Sequence, residues 1–329
     1  MKSVDTPLLT ICIPIYNRLE YLDRMLDRFL EDKDLFQEKI YLFISDNCSA
    51  QDLESCCLKY KELGLNLDYS RNSSNLGADG NLLKCFKQAK GQYGWLLGSD
   101  DIPVKGFLSK LVEFLSHNDC GLVYLDMEPN CSEIKHYTDK AVFFSTINLG
   151  ITFMSSNIFR TQSVGHIELE PFHSTYLIQV PQYIEAGCMK DDNVIVKWGQ
   201  IFEKDTDAAN NGGYNFYQVF VENLFSIYQV FIDNRKFGKN VLNAVKKAEF
   251  RAFILPYSEH ILRNLKPTKF KYQNGFKITF KHYGFHLYAY CDLFLYVKKR
   301  ICEAVARKFK KNENVNEMKP NSLALYFHK

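Results

Sequence analysis

Residues 8–126 alternate short apolar runs with helical patterns, and each of the first four runs stops abruptly at polar or charged residues. Residues 8–15 (LLTICIPI) end at Tyr16, Asn17 and Arg18. Residues 40–45 (IYLFIS) end at Asp46 and Asn47. Residues 65–69 lead into Ser70, Arg71 and Asn72, and residues 94–97 into Gly98, Ser99, Asp100 and Asp101. Helical spacing follows at 19–30, where Leu22, Met25, Leu26 and Phe29 share one face, and again at 53–63, 80–89 and 107–116. A further strand is expected at 121–126. This alternation predicts an α/β fold, a mostly parallel sheet flanked by helices. Ligands of such sheets bind beyond the carboxyl ends of the strands, which is where the polar residues collect.

The fourth strand end is the most chemically loaded. Paired acids at the tip of a buried strand repel each other unless a positive group sits there. Hard divalent cations favour one or two carboxylates together with phosphate oxygens. Ser99 with its acids also suits a helix cap, but three further polar strand ends favour a shared cleft. No GxGxxG follows the first strand and no P-loop is present, so neither a dinucleotide dehydrogenase nor a P-loop nucleotide site is expected.

The second half is less regular. A strand is expected over 150–159, a helix over 176–186, a strand or helix over 191–202, a loop over 208–214 and an amphipathic helix over 216–231, with helical patterns dominating from 237. The expected division is 1–235 as the α/β domain, 236–311 as a helical basic and aromatic extension, and 312–329 as a weakly ordered tail. Ten scattered cysteines, without paired CxxC knuckles, read as reduced and mostly buried thiols. The residues after Met1 lead into a strand and not into a secretory h-region, and no run is long and apolar enough to span a bilayer. The expected location is cytoplasmic, with peripheral contact on the inner face of the cell membrane.

The blocks Thr10-Ile11-Cys12-Ile13-Pro14-Ile15-Tyr16-Asn17-Arg18, Phe43-Ile44-Ser45-Asp46-Asn47-Cys48-Ser49, Arg71-Asn72-Ser73-Ser74-Asn75-Leu76-Gly77 and Gly98-Ser99-Asp100-Asp101 resemble, in order and spacing, the donor half of family 2 glycosyltransferases with the GT-A fold. The resemblance is strong over 8–125. Beyond that it is weaker and nearest the abequosyltransferase-like branch that builds bacterial O-antigen and capsule repeats. It implies an inverting transfer from a nucleotide-sugar, of pyrimidine type, to a saccharide or lipid-linked saccharide, with Mn²⁺ or Mg²⁺ as cofactor. It also implies that Asp101 is the metal ligand and that Asp100 contacts the ribose or a metal-bound water. Around these, Pro14 stiffens the first strand end, and Tyr16, beside Asn17 and Arg18, can pack on the base. Asp46 can accept from a pyrimidine N3–H. Arg71 can approach the base or the phosphates, and Asn75 to Gly77 make the turn that starts the next helix.

One departure stands out. Many inverting relatives carry a Glu-Asp pair after the acidic motif, whose Asp deprotonates the acceptor. Here the corresponding stretch reads Glu170-Pro171-Phe172-His173-Ser174. Glu170, His173 or the later Asp191-Asp192 are the candidates; His173 is favoured as the base because imidazole titrates near neutral pH, against a purely structural histidine, while Asp191-Asp192 reads rather as a helix cap or solvated turn. Ser155, Ser156 and Asn157 either hydrogen-bond the sugar or acceptor or form a plain turn. Asn211 and Gly212 lie in a loop that reads equally as a lid over the diphosphate and as an ordinary surface loop.

Residues 266–311 hold 12 Lys/Arg against Asp292 and Glu303, a net of +10 in a chain whose total is +3. Interleaved with aromatics, this segment suits either an anionic membrane surface or a solvated helix packed on the catalytic domain. Nucleic acid is the competing partner, but the acids at the strand ends disfavour it. A catalytically inactive nucleotide-sugar-binding scaffold is the other alternative, since the base is not evident.

Overall fold

The computed structural model describes residues 6–129, 131–203, 213–263 and 270–310. The chain runs through β1 (Leu9–Ile15), α1 (Leu19–Leu30), α2 (Lys33–Glu38), β2 (Ile40–Asp46), α3 (Leu53–Glu62), β3 (Leu67–Arg71), α4 (Gly77–Gln88), β4 (Tyr93–Leu96), α5 (Phe107–His117) and β5 (Leu122–Asp126). Then come β6 (Glu133–Tyr137), α6 (Lys140–Ile147), β7 (Asn157–Arg160), α7 (Gln179–Met189) and β8 (Asn193–Lys197). The remaining elements are α8 (Leu224–Asp233), α9 (Lys239–Glu249), α10 (Leu255–Leu262), α11 (Gly275–Tyr283) and α12 (Leu287–Lys310).

Eight strands form one sheet in the order β3-β2-β1-β4-β7-β5-β8-β6. Pairing is parallel from β3 through β4, while β7 runs antiparallel to both β4 and β5, and β6 antiparallel to β8. The central strands are apolar on both faces because helices cover both. Ile11, Ile13, Leu42, Ile44 and Trp95 join a core with α1, α3 and α5, while Cys12, Phe43 and Leu96 face the core under α4, α6 and α7. Register sets the site: Ile15 pairs with Asp46 and Asp46 with Arg71, so three strand ends finish level. The strand order reverses at β1, and the crevice between the ends of β1 and β4 is the switch point where such sheets bind ligands.

Three expectations change. The strand expected over 150–159 is two 3₁₀ turns, Asn148–Thr152 and Met154–Ser156, followed by the short β7. Asn157 causes this: its amide donates to the carbonyls of Gly150 (3.1 Å) and Phe153 (2.8 Å) and curls the segment. The helix expected over 216–231 contains a π-helical turn at Gln218–Asn223 before α8. The edge strand β6 was not anticipated. The helical region expected from 236 is present as α9 to α12, and one apolar cluster runs across position 235, from Cys12 through Phe231, Val241 and Ile254 to Ala289. The tail 312–329 lies outside the described residues. All ten cysteines are free, five of them buried.

Candidate active site

The end of β1 is latched to the end of β2. Asn17 takes a left-handed backbone (φ 51). Its N–H donates to Ser49 Oγ (2.9 Å), and its Oδ1 accepts from Ala50 N–H (2.7 Å). Asn17 is therefore spent on holding the turn, which leaves its neighbour Tyr16 47% exposed at the crevice. Pro14 lies within β1 opposite Ser45.

Asp46 has no exposed surface. Its Oδ1 accepts from the N–H (2.9 Å) and hydroxyl (2.6 Å) of Ser49, and its Oδ2 accepts from the Tyr69 hydroxyl (2.6 Å), with Arg71 Nε at 3.6 Å. The expectation that Asp46 accepts from a base therefore meets a carboxylate committed to the protein, because the register of β2 and β3 brings Tyr69 and Arg71 onto it. Burial and this carboxylate together push the Tyr69 phenol up. Asp46 instead orients Arg71, whose Nη2 also donates to the Ser49 carbonyl (2.6 Å) and whose side chain is 44% exposed.

An asparagine network closes this side. Asn47 Nδ2 donates to Asn75 Oδ1 (2.8 Å) and to the Gly77 carbonyl (3.0 Å), while its Oδ1 accepts from Leu76 N–H (2.9 Å) and Asn72 Nδ2 (3.1 Å). Asn72 also donates to Asn81 Oδ1 (3.1 Å), and Asn81 donates to the Ser45 carbonyl (2.9 Å). Asn75 also accepts from Gly77 N–H (2.9 Å), and Gly77 takes φ +72, a conformation costly for other residues. Asn75 and Gly77 thus build the turn that launches α4. Buried amides with both ends satisfied rigidify a site.

On the β4 side, Arg18 Nη1 lies 3.2 Å from Asp100 Oδ2. The positive group that the acidic pair called for is, for Asp100, an arginine from the neighbouring strand end. Asp101 Oδ2 accepts from Ser155 Oγ (2.7 Å), which itself accepts from Gly98 N–H (2.9 Å), while Asp101 N–H donates to the Gly98 carbonyl (3.0 Å). A Cβ added to Gly98 would lie 2.7 Å from Asp101 Oδ2 and 3.1 Å from Asp100 Oδ1. Both carboxylates therefore face the same small space, kept open because residue 98 has no side chain. Two convergent hard oxygen donors fit a divalent cation that completes its shell with phosphate and water. Among the described residues no cluster of three or more His, Cys, Asp or Glu could hold a metal through protein ligands alone.

Ser155 thus has a different place from the one expected. It is fully buried and positions Asp101, so it is not a contact for an acceptor. Ser156 and Asn157 are also buried, Asn157 as the staple of the 3₁₀ turns. Asn211 and Gly212 lie outside the described residues. His173 is 43% exposed; its Nδ1 stands 3.9 Å from Asp79 Oδ2, which also accepts from Ser174 N–H (3.1 Å). Asp79 sits in the first turn of α4, so residues 173–174 lean on the helix that the Asn75–Gly77 turn starts. Asp191 and Asp192 are surface partners of Lys140 and His136. Sequence reasoning missed Asp79, Gly98, Asn72 and Asn81 as site-builders. Gly98 and Asn72 were visible inside quoted blocks, whereas Asp79 and Asn81 carry no local signal.

The fold is that of the GT-A glycosyltransferases. S. aureus TarS (residues 1–349) superposes with a TM-score of 0.56 at 16% identity, covering 75% of this chain and 72% of TarS. The mannosyltransferase PcManGT from Pyrobaculum calidifontis, solved in complex with GDP-Man and Mn²⁺, superposes at 0.50 with 13% identity and 80% coverage of each. Residues 10–168 match the family described as Glycosyl transferase family 2, so this chain carries a family 2 glycosyltransferase domain. Over 109 residues it is 38% identical to Abequosyltransferase RfbV of Salmonella typhimurium, covering 33% of this chain and 32% of that protein. Over 118 residues it is 26% identical to the Bacillus subtilis glycosyltransferase TuaG, whose name refers to teichuronic acid biosynthesis, covering 36% and 46%. The chain therefore matches 32% and 46% of the length of these relatives, less than half of each.

Proposed function

We propose that the chain transfers a sugar from a nucleotide-sugar, of pyrimidine type, to a saccharide or lipid-linked saccharide in surface polysaccharide assembly, with inversion and with a divalent ion, Mn²⁺ or Mg²⁺. The observation that carries this reading is the Gly98 cradle, where two carboxylates converge at the switch point. Asp101, oriented by Ser155, and Asp100, oriented by Arg18, would hold the ion. When bound, it supplies positive charge against the leaving diphosphate. Tyr16 offers an exposed ring to the base, and Arg71, steered by Asp46, offers a cation to base or phosphate. His173 takes the proton of the acceptor hydroxyl as that oxygen bonds the anomeric carbon and the bond to the diphosphate breaks. Asp79 Oδ2 lies 3.9 Å from the ring's Nδ1.

The test is a thermal-shift panel of UDP-, dTDP-, CDP- and GDP-sugars with and without Mn²⁺, followed by donor hydrolysis. One class is expected to stabilise the protein by about 2.7 kcal/mol at a hundredfold excess over Kd, only with the ion present, and to be hydrolysed slowly. No shift with any donor refutes the reading. Binding without hydrolysis or transfer favours an inactive scaffold.

A further inference from the structure

Helix α12 turns a mixed stripe inward, Ala289 in the apolar cluster beside the polar Asp292, Tyr296 and Arg300, and leaves most of its large apolar side chains outward. Facing the protein, Asp292 is buried and accepts from Arg251 Nε (2.7 Å) and Nη2 (2.8 Å). Further along the same stripe, the Tyr296 hydroxyl donates to Glu259 Oε2 (2.5 Å) and Arg300 Nε donates to Glu259 Oε1 (2.9 Å). Phe294, about 200° around the helix from Asp292, is 68% exposed, and Leu287, Leu295 and Ile301 are exposed with it. On α11 and the turn that follows it, Phe276 and Phe285 are 86% and 87% exposed, each in ring contact with the exposed Phe280. An amphipathic helix on a protein surrounded by water carries the opposite arrangement. Large apolar side chains exposed in this number mark a contact with another apolar phase.

Charge selects the occupant. Lys277, Lys298 and Lys299 are exposed around this face. The acids of the same helix, Asp292 and Glu303, are engaged by Arg251 and Arg300. A second copy docked on this face would set one strongly positive surface against another. An anionic bilayer offers both counter-charge and hydrocarbon. Among the described residues no helix is long and apolar enough to cross a membrane. From Leu287 to Ile301 the exposed face extends about 21 Å along the axis, a helix that lies in the interface plane. We infer that the outer face of α11 and α12 is a docking surface for anionic lipid membranes, with the aromatics inserted at headgroup depth and the lysines on the lipid phosphates.

The test is co-sedimentation of the full chain with phosphatidylcholine vesicles and with vesicles containing 30% phosphatidylglycerol. The chain is expected to pellet with the anionic vesicles only. Phe285→Ser/Phe294→Ser/Leu295→Ser should lower partitioning more than tenfold, and Lys298→Gln/Lys299→Gln about thirtyfold. Both variants alter exposed positions, so their unfolding temperatures should match the parent. A chain that stays in the supernatant, or pellets equally with both vesicles, overturns the inference. So does light scattering that finds a dimer dispersed by the triple substitution. Nucleotide binding is not read, so this failure and a failure of the transferase reading are separate results.

Discussion

Gly98→Ala is the sharpest probe of the acidic cradle. Gly98 is not among the glycines with positive φ, so alanine meets no backbone penalty there, and the effect is steric. The new methyl would lie 2.7 Å from Asp101 Oδ2, 3.1 Å from Asp100 Oδ1 and 3.4 Å from Met154 Cε. Asp101 cannot yield freely, because the same Oδ2 accepts from Ser155 Oγ, which is tied to Gly98 N–H. Overpacking of this kind costs about 1–3 kcal/mol, which a folded domain tolerates. Displacing a ligating carboxylate by about 1 Å, however, costs on the order of a hundredfold in function. Gly94→Ala is the control. Its methyl would lie 2.3 Å from the Phe159 ring, in the core and away from the carboxylates. Calorimetric titration of the donor found in the nucleotide panel, across a Mn²⁺ series, should show ion-dependent affinity lost in the Gly98 variant and kept in the Gly94 variant. A folded Gly98→Ala protein with unchanged ion dependence, or equal losses in both, would refute the claim that the cradle is the ion site.

Replacing His173 by Ala should lower transfer about 10²–10⁴-fold with donor affinity unchanged by calorimetry; near-normal turnover removes His173 as the base. Ser155→Ala deletes a hydroxyl bond to a carboxylate, worth about 1.5–3 kcal/mol, and should raise the Mn²⁺ concentration needed for half-maximal donor binding about tenfold, read by the same titration. Glu249 is fully buried, and among the described residues neither of its oxygens has a hydrogen-bond partner. Burial pushes its carboxyl well above the ordinary 4.5, with only Lys246 opposing. The folded state then keeps a proton that the unfolded chain releases, so this contribution to stability is full below pH 4.5 and falls as pH rises towards the folded pKa, by up to about 1.4 kcal/mol per unit. Denaturant titrations from pH 5 to 8 should show that Glu249→Gln flattens this slope and is the more stable form at neutral pH. A parent-like slope would exclude Glu249 as its source.

β1, β2 and β4 could be read from the sequence because a buried parallel strand must be apolar on both faces, and its end is where polar residues can resume; β3 is an edge strand with Asp68 exposed, and it runs over 67–71 where 65–69 was expected. β6 could not: Glu133, Lys135 and His136 sit on an exposed edge whose pairing with β8 is made by backbone, which leaves no apolar pattern. The stretch before β7 was misread because its apolar residues are buried whether extended or coiled. The choice lies in the Asn157 amide, which collects carbonyls up to seven residues back.

The same distinction runs through the site. Residue types at strand ends follow from chain chemistry, but their partners follow from register. Asp46 was expected to face a ligand, yet pairing with β3 places Tyr69 and Arg71 against it, turning a contact into a support. Ser155 follows the same rule in the other direction. A serine in an unremarkable turn becomes the group that aims Asp101, because antiparallel β7 brings it beside β4, where the Ser155 carbonyl also accepts from Trp95 Nε1 (2.8 Å). In α12 the sequence showed aromatics mixed with lysines, a composition equally suited to a helix packed on the core. The partners of Asp292, Tyr296 and Arg300 fix which side of the helix faces the protein. Once Asp292, Tyr296 and Arg300 are bound inward to Arg251 and Glu259, helix geometry leaves Phe294 and Ile301 on the opposite side, exposed among the described residues, and it is this exposure that the vesicle experiment probes.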